Sequence, residues 1–340
     1  LNIVSKLAKQ SETSRHLILN SIIQTPCFPS QLKLNEGVDL YFKAENFQIT
    51  GSFKIRGALS KIKKISKNTK LITASSGNHG IACSYAAKKT GHNLTVVLPE
   101  KVSKSKLEAI KGFGTKVILN PGDSGLAEKK ARLLAETEKF EYISPYNDYD
   151  IIAGQGTIGF ELLEQLPNID NVYISMGGGG LISGIGSVIK YHSPTTKIIG
   201  VSAINSGALA ASIKLGSVCE TTHFDTLADG CAGGIDEGTL TLPIATEVTD
   251  SVIECTEEQI VEAIKILAWN ENLMVEGSAA LALAGFMQEK QSKKHVAVKE
   301  FSFQDTNDLR GFYGNRNIAA FSILSKLILL YILGVLNKNK

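Results

Sequence analysis

Residues Val172-Tyr173-Ile174-Ser175-Met176-Gly177-Gly178-Gly179-Gly180-Leu181 read as a strand, a four-glycine turn and the opening of a helix. Val172–Ser175 is a short apolar run containing the β-branched Val172 and Ile174, and Leu181–Tyr191 keeps apolar residues at helical spacing. The same unit recurs on either side. Strands are expected at Leu71–Ser75, Leu94–Leu98, Lys116–Leu119, Lys197–Ala203 and His295–Val298, besides Val172–Ser175. Helices are expected at Asn78–Lys89, Ser105–Lys111, Leu126–Thr137 and Ile151–Gln165, with a late pair at Thr256–Trp269 and Glu276–Gln288. Buried strands alternating with helices form βαβ units, and these build parallel sheets. The fold class is therefore α/β and doubly wound.

The chain has 340 residues, which at roughly 150 per domain suggests about two domains. Its 43% hydrophobic and 20% charged residues are ordinary for a globular protein and exclude disordered or collagen-like chains. Thirty-six basic against 33 acidic residues leave a net charge of +3, too small and too dispersed to argue for a nucleic-acid partner. Five cysteines, scattered and without a C-x-x-C pair, give no disulfide framework or zinc site and suit a reducing cytoplasm. The first 25 residues mix Lys6, Lys9, Glu12 and Arg15 into an amphipathic pattern, so no signal peptide is expected.

Glycine is the outlier, at 31 residues, and it clusters in four stretches expected to be loops: 46–58, 75–80, 153–157 and 176–181. In the last of these, four glycines let backbone N–H groups converge at a helix N-terminus, which makes an anion site, most simply for a phosphate. No Gly-Lys pair exists for a nucleotide P-loop, and Val201-Ser202-Ala203-Ile204-Asn205 lacks the acid of a dinucleotide site. A plain tight turn is the alternative. Ser75-Ser76-Gly77-Asn78-His79-Gly80 also joins a strand to a helix and offers hydroxyls and amides to a carboxylate, unless it is only an N-cap. Lys54 lies between Phe53 and Ile55, bracketed by Gly51 and Gly57. A lysine packed among apolar and small groups has its ammonium form penalised, which frees the amine for Schiff-base chemistry. Arg56 is expected to be an ion-pair partner at a sheet or helix edge.

With these motifs, the chain resembles the threonine/serine dehydratase and serine racemase group of fold type II enzymes that use pyridoxal 5′-phosphate (PLP). The resemblance runs from about Leu7 to Val298 and rests on Ser52–Ala58, Ser75–Gly80, Ile152–Thr157, Gly177–Gly180 and Leu227-Ala228-Asp229-Gly230. It implies two doubly wound domains, a small one over 70–147 and a large PLP-binding one over 1–69 and 148–340. It implies that Lys54 carries PLP and removes the substrate α-proton, with Ser76 on the opposite face. Gly177, Gly178, Gly179, Gly180 and Leu181 would cradle the phosphate, Asn78 would bond the 3-hydroxyl, and Phe53 and Glu276 would lie beside the ring. Ser75, Ser76, Gly77 and His79 would frame the substrate carboxylate. The implied activity is a dehydratase, or ammonia-lyase, turning L-threonine or L-serine into a 2-oxo acid and ammonia by α,β-elimination. A cytoplasmic homo-oligomer is the default for the group.

Three departures keep alternatives open. The stretch 201–208 has no carboxylate where serine racemases bind a divalent cation, so no metal is expected, and racemase is the lesser reading. Thr226–Asp236 looks more like hydroxyectoine-pathway or hydroxyaspartate dehydratases. From about 299 the tail is atypical: Lys299-Glu300-Phe301-Ser302 stands where the group places a hydroxyl or thiol against the pyridine nitrogen. A catalytically silent PLP-binding protein is therefore a further alternative. Residues 318–336 are apolar enough for a marginal membrane span, although nothing upstream resembles a membrane enzyme.

Overall fold

Apolar, β-branched runs flanked by helices organise the chain into two sheets, seen in a computed structural model that describes residues 2–34 and 38–289 and the backbone of 295–299. In chain order the elements are α1 (Ile3–Ile18), β1 (Cys27–Pro29), β2 (Leu40–Ala44), α2 (Lys54–Ile62), β3 (Leu71–Ala74), α3 (Asn78–Thr90) and β4 (Leu94–Pro99). There follow α4 (Lys104–Lys111), β5 (Lys116–Asn120), α5 (Ser124–Glu138), β6 (Glu141–Tyr142), α6 (Tyr149–Gln165), β7 (Asn171–Ser175) and α7 (Gly180–His192). The rest are β8 (Lys197–Ala203), α8 (Ala208–Leu215), α9 (Thr241–Val248), β9 (Ser251–Cys255), α10 (Glu257–Trp269), α11 (Gly277–Gln288) and β10 (His295–Lys299). The expected strands all form, each within one residue of its sequence-derived ends. The tail motif near Phe301 and the apolar stretch 318–336 lie outside the described residues. Among the described residues, no helix is long and apolar enough to cross a membrane.

One sheet has the order β5-β4-β3-β6 and is parallel throughout. The other has the order β1-β2-β10-β7-β8-β9 and is parallel except for the β1–β2 pair. Side chains alternate across the first sheet as the pleat requires. Leu71, Leu94, Val96 and Leu98 pack with α2 and α3, while Ile72 and Val97 pack with Ala127, Ala131 and Leu134 of α5. In the second sheet Val172, Ile174 and Ile198 pack with Ile158, Leu162, Ile182 and Ile185 of α6 and α7. Burial on both faces explains why these strands read as continuous apolar runs.

Two expectations need correction. Residues 46–58 and 153–157 are not loops throughout: the first becomes helical at Lys54, where α2 starts, and Ala153–Thr157 lies inside α6. Gly57, Gly154 and Gly156 serve helix packing. A Cβ at Gly154 would come within 2.5 Å of Arg56 O, and one at Gly57 within 2.9 Å of Ile151 O, so α2 and α6 cross with their backbones in contact. Gly184 of α7 meets Ile152 O and Gly156 N in the same way. A glycine-rich turn and a glycine-rich crossing look alike in sequence, because both exclude Cβ.

Arg56 is likewise not at an edge; it is fully buried. Its Nε and Nη2 donate to Glu45 at 2.8 Å, and its Nη1 donates to Glu161 at 2.6 Å and to Thr157 Oγ1 at 3.1 Å. Lys43, also fully buried, donates to Glu161 Oε2 at 2.5 Å, to Thr25 O and to Gln165 Oε1. Two cations face two carboxylates. Burial opposes the Arg56 charge, but Glu45 and Glu161 outweigh it and hold its pKa above the ordinary value. Burial dominates at Lys43 and lowers its pKa, against the pull of Glu161 and Glu45. Burial would raise the Glu161 pKa, yet Arg56 and then Lys43 hold it down.

Removing one member of such a cluster strands the others without compensation. Arg56→Ala should lower the unfolding free energy by about 3–5 kcal/mol in urea titrations. A loss below about 1 kcal/mol, the range of exposed pairs, would show that the cluster is not the tie described.

Candidate active site

Lys54 is the first residue of α2 and is half-buried. The chain reaches it through Gly51, whose φ of +77° turns it out of the preceding 3-10 turn, Glu45–Phe47. Phe53 is buried in the core of the six-stranded sheet, and the Lys54 amine lies 5.1 Å from its ring centre. Lys54 Nζ donates to Pro145 O at 3.1 Å. Pro145 belongs to a short turn that leaves the carboxyl end of β6, with Ser144 Oγ accepting from the Asn147 N–H at 2.9 Å.

Tyr146 of this turn lies against the four glycines. A Cβ at Gly178 would sit 2.5 Å from the Tyr146 ring, and one at Gly180 would sit 3.2 Å from Tyr146 Cα. A Cβ at Gly177 would sit 2.9 Å from the Cys231 backbone, and one at Gly179, with φ +87°, would meet Leu209 and Thr241. Thr241 Oγ1 fixes the turn by donating to Gly178 O at 2.7 Å. The turn therefore presents only backbone. It leads into α7, whose N-terminus has no side-chain cap, so unpaired N–H groups and the positive end of the helix dipole meet there. Leu181 follows in the first turn, buried in the same core as Phe53.

Ser75, Ser76 and Gly77 lie half-buried at the carboxyl end of β3 and lead into α3, whose N-terminus also lacks a side-chain cap. Asn78 Nδ2 donates to Glu276 Oε1 at 3.1 Å, while Asn78 Oδ1 is buried without a partner. Glu276 immediately precedes α11, and Gly230 lies beside it, with 3.5 Å between the Glu276 Oε1 and a Cβ built at Gly230. Four of the five sequence motifs thus meet in one region, around the carboxyl ends of β3, β6 and β7. The fifth, Ile152–Thr157, does not; it packs helices.

His79 faces inward from α3. Its Nε2 is 3.0 Å from Ile143 O and 3.4 Å from Cys83 Sγ, and the side chain is buried. Burial, with a smaller contribution from the Lys54 charge, pushes its pKa down to about 3 against the weaker pull of Ile143 O. The ring is neutral and already engaged. Only its backbone N–H is left to face a ligand at the start of α3.

Pro145, Tyr146, Asn147 and Thr241 belong to this region and were not singled out from sequence. Ser144-Pro145-Tyr146-Asn147 carries no glycine cluster. The signal that could have found it is positional, because ligands in open α/β sheets bind beyond the carboxyl ends of strands. Chemically, a backbone anion cradle, a primary amine and an unpartnered buried acceptor suit a phosphorylated ligand with an amine-reactive group.

Residues 18–299 match the family described as pyridoxal-phosphate dependent enzyme. The chain is 36% identical over 294 residues to the catabolic L-threonine dehydratase TdcB of Staphylococcus aureus (strain N315), covering 85% of this chain and 84% of that protein. The processed form of threonine deaminase isoform 2 from Solanum lycopersicum superposes with a TM-score of 0.85 at 30% identity, covering 91% of this chain and 87% of that one. Maize serine racemase superposes with a TM-score of 0.82 at 29% identity, covering 95% and 98%.

The neutral His79 predicts a pH dependence. Its folded pKa lies below the ordinary 6.5, so the unfolded chain takes up a proton that the folded chain refuses. The associated stability is complete above pH 6.5 and drains away as the pH falls toward 3. Between pH 6 and 4 the unfolding free energy should therefore fall more steeply than in His79→Asn, by up to about 1.4 kcal/mol per pH unit. Parallel curves would refute a buried neutral imidazole.

Proposed function

Because the chain belongs to the pyridoxal-phosphate dependent enzyme family, we propose that it is a dehydratase converting L-threonine or L-serine into a 2-oxo acid and ammonia. What carries the proposal is the likeness to catabolic threonine dehydratase along 85% of the chain. The residues present fit the cofactor: the glycine turn has no room for side chains, α7 is uncapped, and a half-buried amine bonds the Pro145–Asn147 turn that lies against both. Asn78 Oδ1, buried and unpartnered, adds an acceptor that a ligand hydroxyl can satisfy.

Bound through its phosphate and Lys54, the cofactor supplies an electron sink that acidifies the substrate Cα–H. The backbone N–H groups of Gly177, Gly178, Gly179 and Gly180, with Leu181, would hold the phosphate dianion at the α7 N-terminus. Phe53 would pack beside the ring, and Asn78 and Glu276 would line its polar edge. Ser75, Ser76, Gly77 and the His79 backbone N–H would take the substrate carboxylate at the α3 N-terminus. Freed when the substrate amine takes its place, the Lys54 amine would accept the α-proton, and that proton would pass to the β-hydroxyl, which would depart as water as the C–O bond breaks. Hydrolysis of the released enamine yields the 2-oxo acid and ammonia. The four-stranded sheet lies wholly within the 70–147 segment that we read as a small domain, so the proposed carboxylate and phosphate sites stand on different sheets.

The likeness to maize serine racemase along 95% of the chain supports a second reading, with Ser76 as the proton donor on the far face. Product analysis separates the two. With PLP added, the purified protein should show a borohydride-sensitive visible band and release 2-oxobutanoate from L-threonine. Lys54→Ala should abolish the band and lower turnover about 10³-fold or more, at the level of general-base catalysis or beyond. D-serine without 2-oxo acid would favour the racemase, and a band without turnover on either amino acid would leave a silent cofactor-binding protein.

A further inference from the structure

The Pro145–Asn147 turn bears on both the Lys54 amine and the glycine cradle, yet the sheet gives it little support. It follows β6, which has two residues, stands at a sheet edge and pairs with β3 at Leu71 and Ile72. Its position is supplied by the segment 236–240. The Asp236 N–H donates to Tyr146 Oη at 2.8 Å, Asn147 Nδ2 donates to Asp236 Oδ2 at 2.9 Å, and the Leu240 N–H donates to Asn147 Oδ1 at 2.9 Å. Arg132 of α5 donates from Nη2 to both Asp236 oxygens at 3.1 Å, and is itself held by Glu128 Oε1 at 2.8 Å. Asp236 is thus the node at which α5, the Pro145–Asn147 turn and the segment before α9 are joined.

We propose that Asp236 is a positioning residue for the cofactor site: through its carboxylate on Asn147 and its backbone N–H on Tyr146 it fixes the Pro145–Asn147 turn against Gly178 and against the Lys54 amine. The proposal rests on the cofactor assignment above, not on the choice of substrate. Two contacts transmit the effect. The Tyr146 ring sets the wall of the glycine turn, so its displacement would change the shape offered to phosphate. Pro145 O holds the Lys54 amine, so the same displacement would release the amine from its resting direction. The Asp236 carboxylate receives Asn147 and Arg132 on one side chain, and hydrogen bonds to an ionised acceptor are about twice as strong as neutral ones. A single side-chain truncation should therefore loosen the turn without touching the sheet.

The test is equilibrium dialysis of the apoprotein with PLP and, separately, with 4′-deoxypyridoxine 5′-phosphate, which has no aldehyde and reads the cradle alone. Asp236→Ala should weaken both ligands about tenfold, equivalent to ~1.4 kcal/mol, while the melting temperature of the apoprotein stays within about 2 °C. Asp236→Asn, which keeps an acceptor for Asn147, should recover most of that loss. Asp236→Ala combined with Asn147→Ala should lose less than the sum of the two single losses, because residues that share one contact are not additive. Affinity within twofold of wild type in Asp236→Ala, additive losses in the double variant, or a loss that only follows a lowered melting temperature would each overturn the proposal. Wild-type protein that binds neither ligand would overturn the cofactor assignment itself, an outcome distinct from all of these.

Discussion

The buried cluster of Arg56, Glu45, Glu161 and Lys43 is the constraint on which the candidate site depends. Arg56 is two residues beyond Lys54 on the same helix, so whatever fixes the guanidinium fixes the start of α2. The other members come from three places: Glu45 from the 3-10 turn after β2 and Glu161 from α6, both bonded to Arg56, and Lys43 from β2 itself, bonded to Glu161. Burying four charges is costly, and the cost is offset only while all four remain in register. That makes the cluster a specificity device. A slip of α2 by one residue would leave a carboxylate facing no cation in a dry interior.

The backbone contacts between helices enforce the same geometry by a different force. Gly57 and Gly154 let α2 meet α6, and Gly156 and Gly184 let α6 meet α7. α2 begins with Lys54 and α7 begins at Gly180, so this stack links the amine to the anion cradle through three helices in direct contact. An alanine at these crossings would push apart two halves of one site rather than fill a void. The site is therefore tuned from behind, by residues that touch no ligand.

The groups around Lys54 are chosen to carry little competing charge. His79 is held neutral by burial, Asn78 and the serines are uncharged, and the cradle is backbone. Negative charge enters through Glu276, which Asn78 binds, and through Asp236, which lies behind the Pro145–Asn147 turn. An anionic ligand thus meets helix N-termini and an amine, while the carboxylates stand at the margin or behind a tyrosine.

The pattern of β-branched runs and helical spacing was enough to place the α/β class and strands β3, β4, β5, β7, β8 and β10, but it did not show β1, β2, β6 or β9. The motifs around Lys54, Ser75–His79, Gly177–Gly180 and Glu276 were legible because each joins a strand or turn to a helix start, and local sequence writes such junctions directly. Sequence could not say which glycines form a cradle and which form a helix crossing, since both demand only the absence of Cβ. Nor could it show that Arg56 is buried, that His79 turns away from the ligand space, or that β10 inserts between β2 and β7. Pro145, Tyr146 and Asp236 become neighbours of the cradle only through tertiary structure. Their chemistry lies in pairings between residues some 90 positions apart along the chain, as between Tyr146 and Asp236, and such pairings leave no periodicity to read.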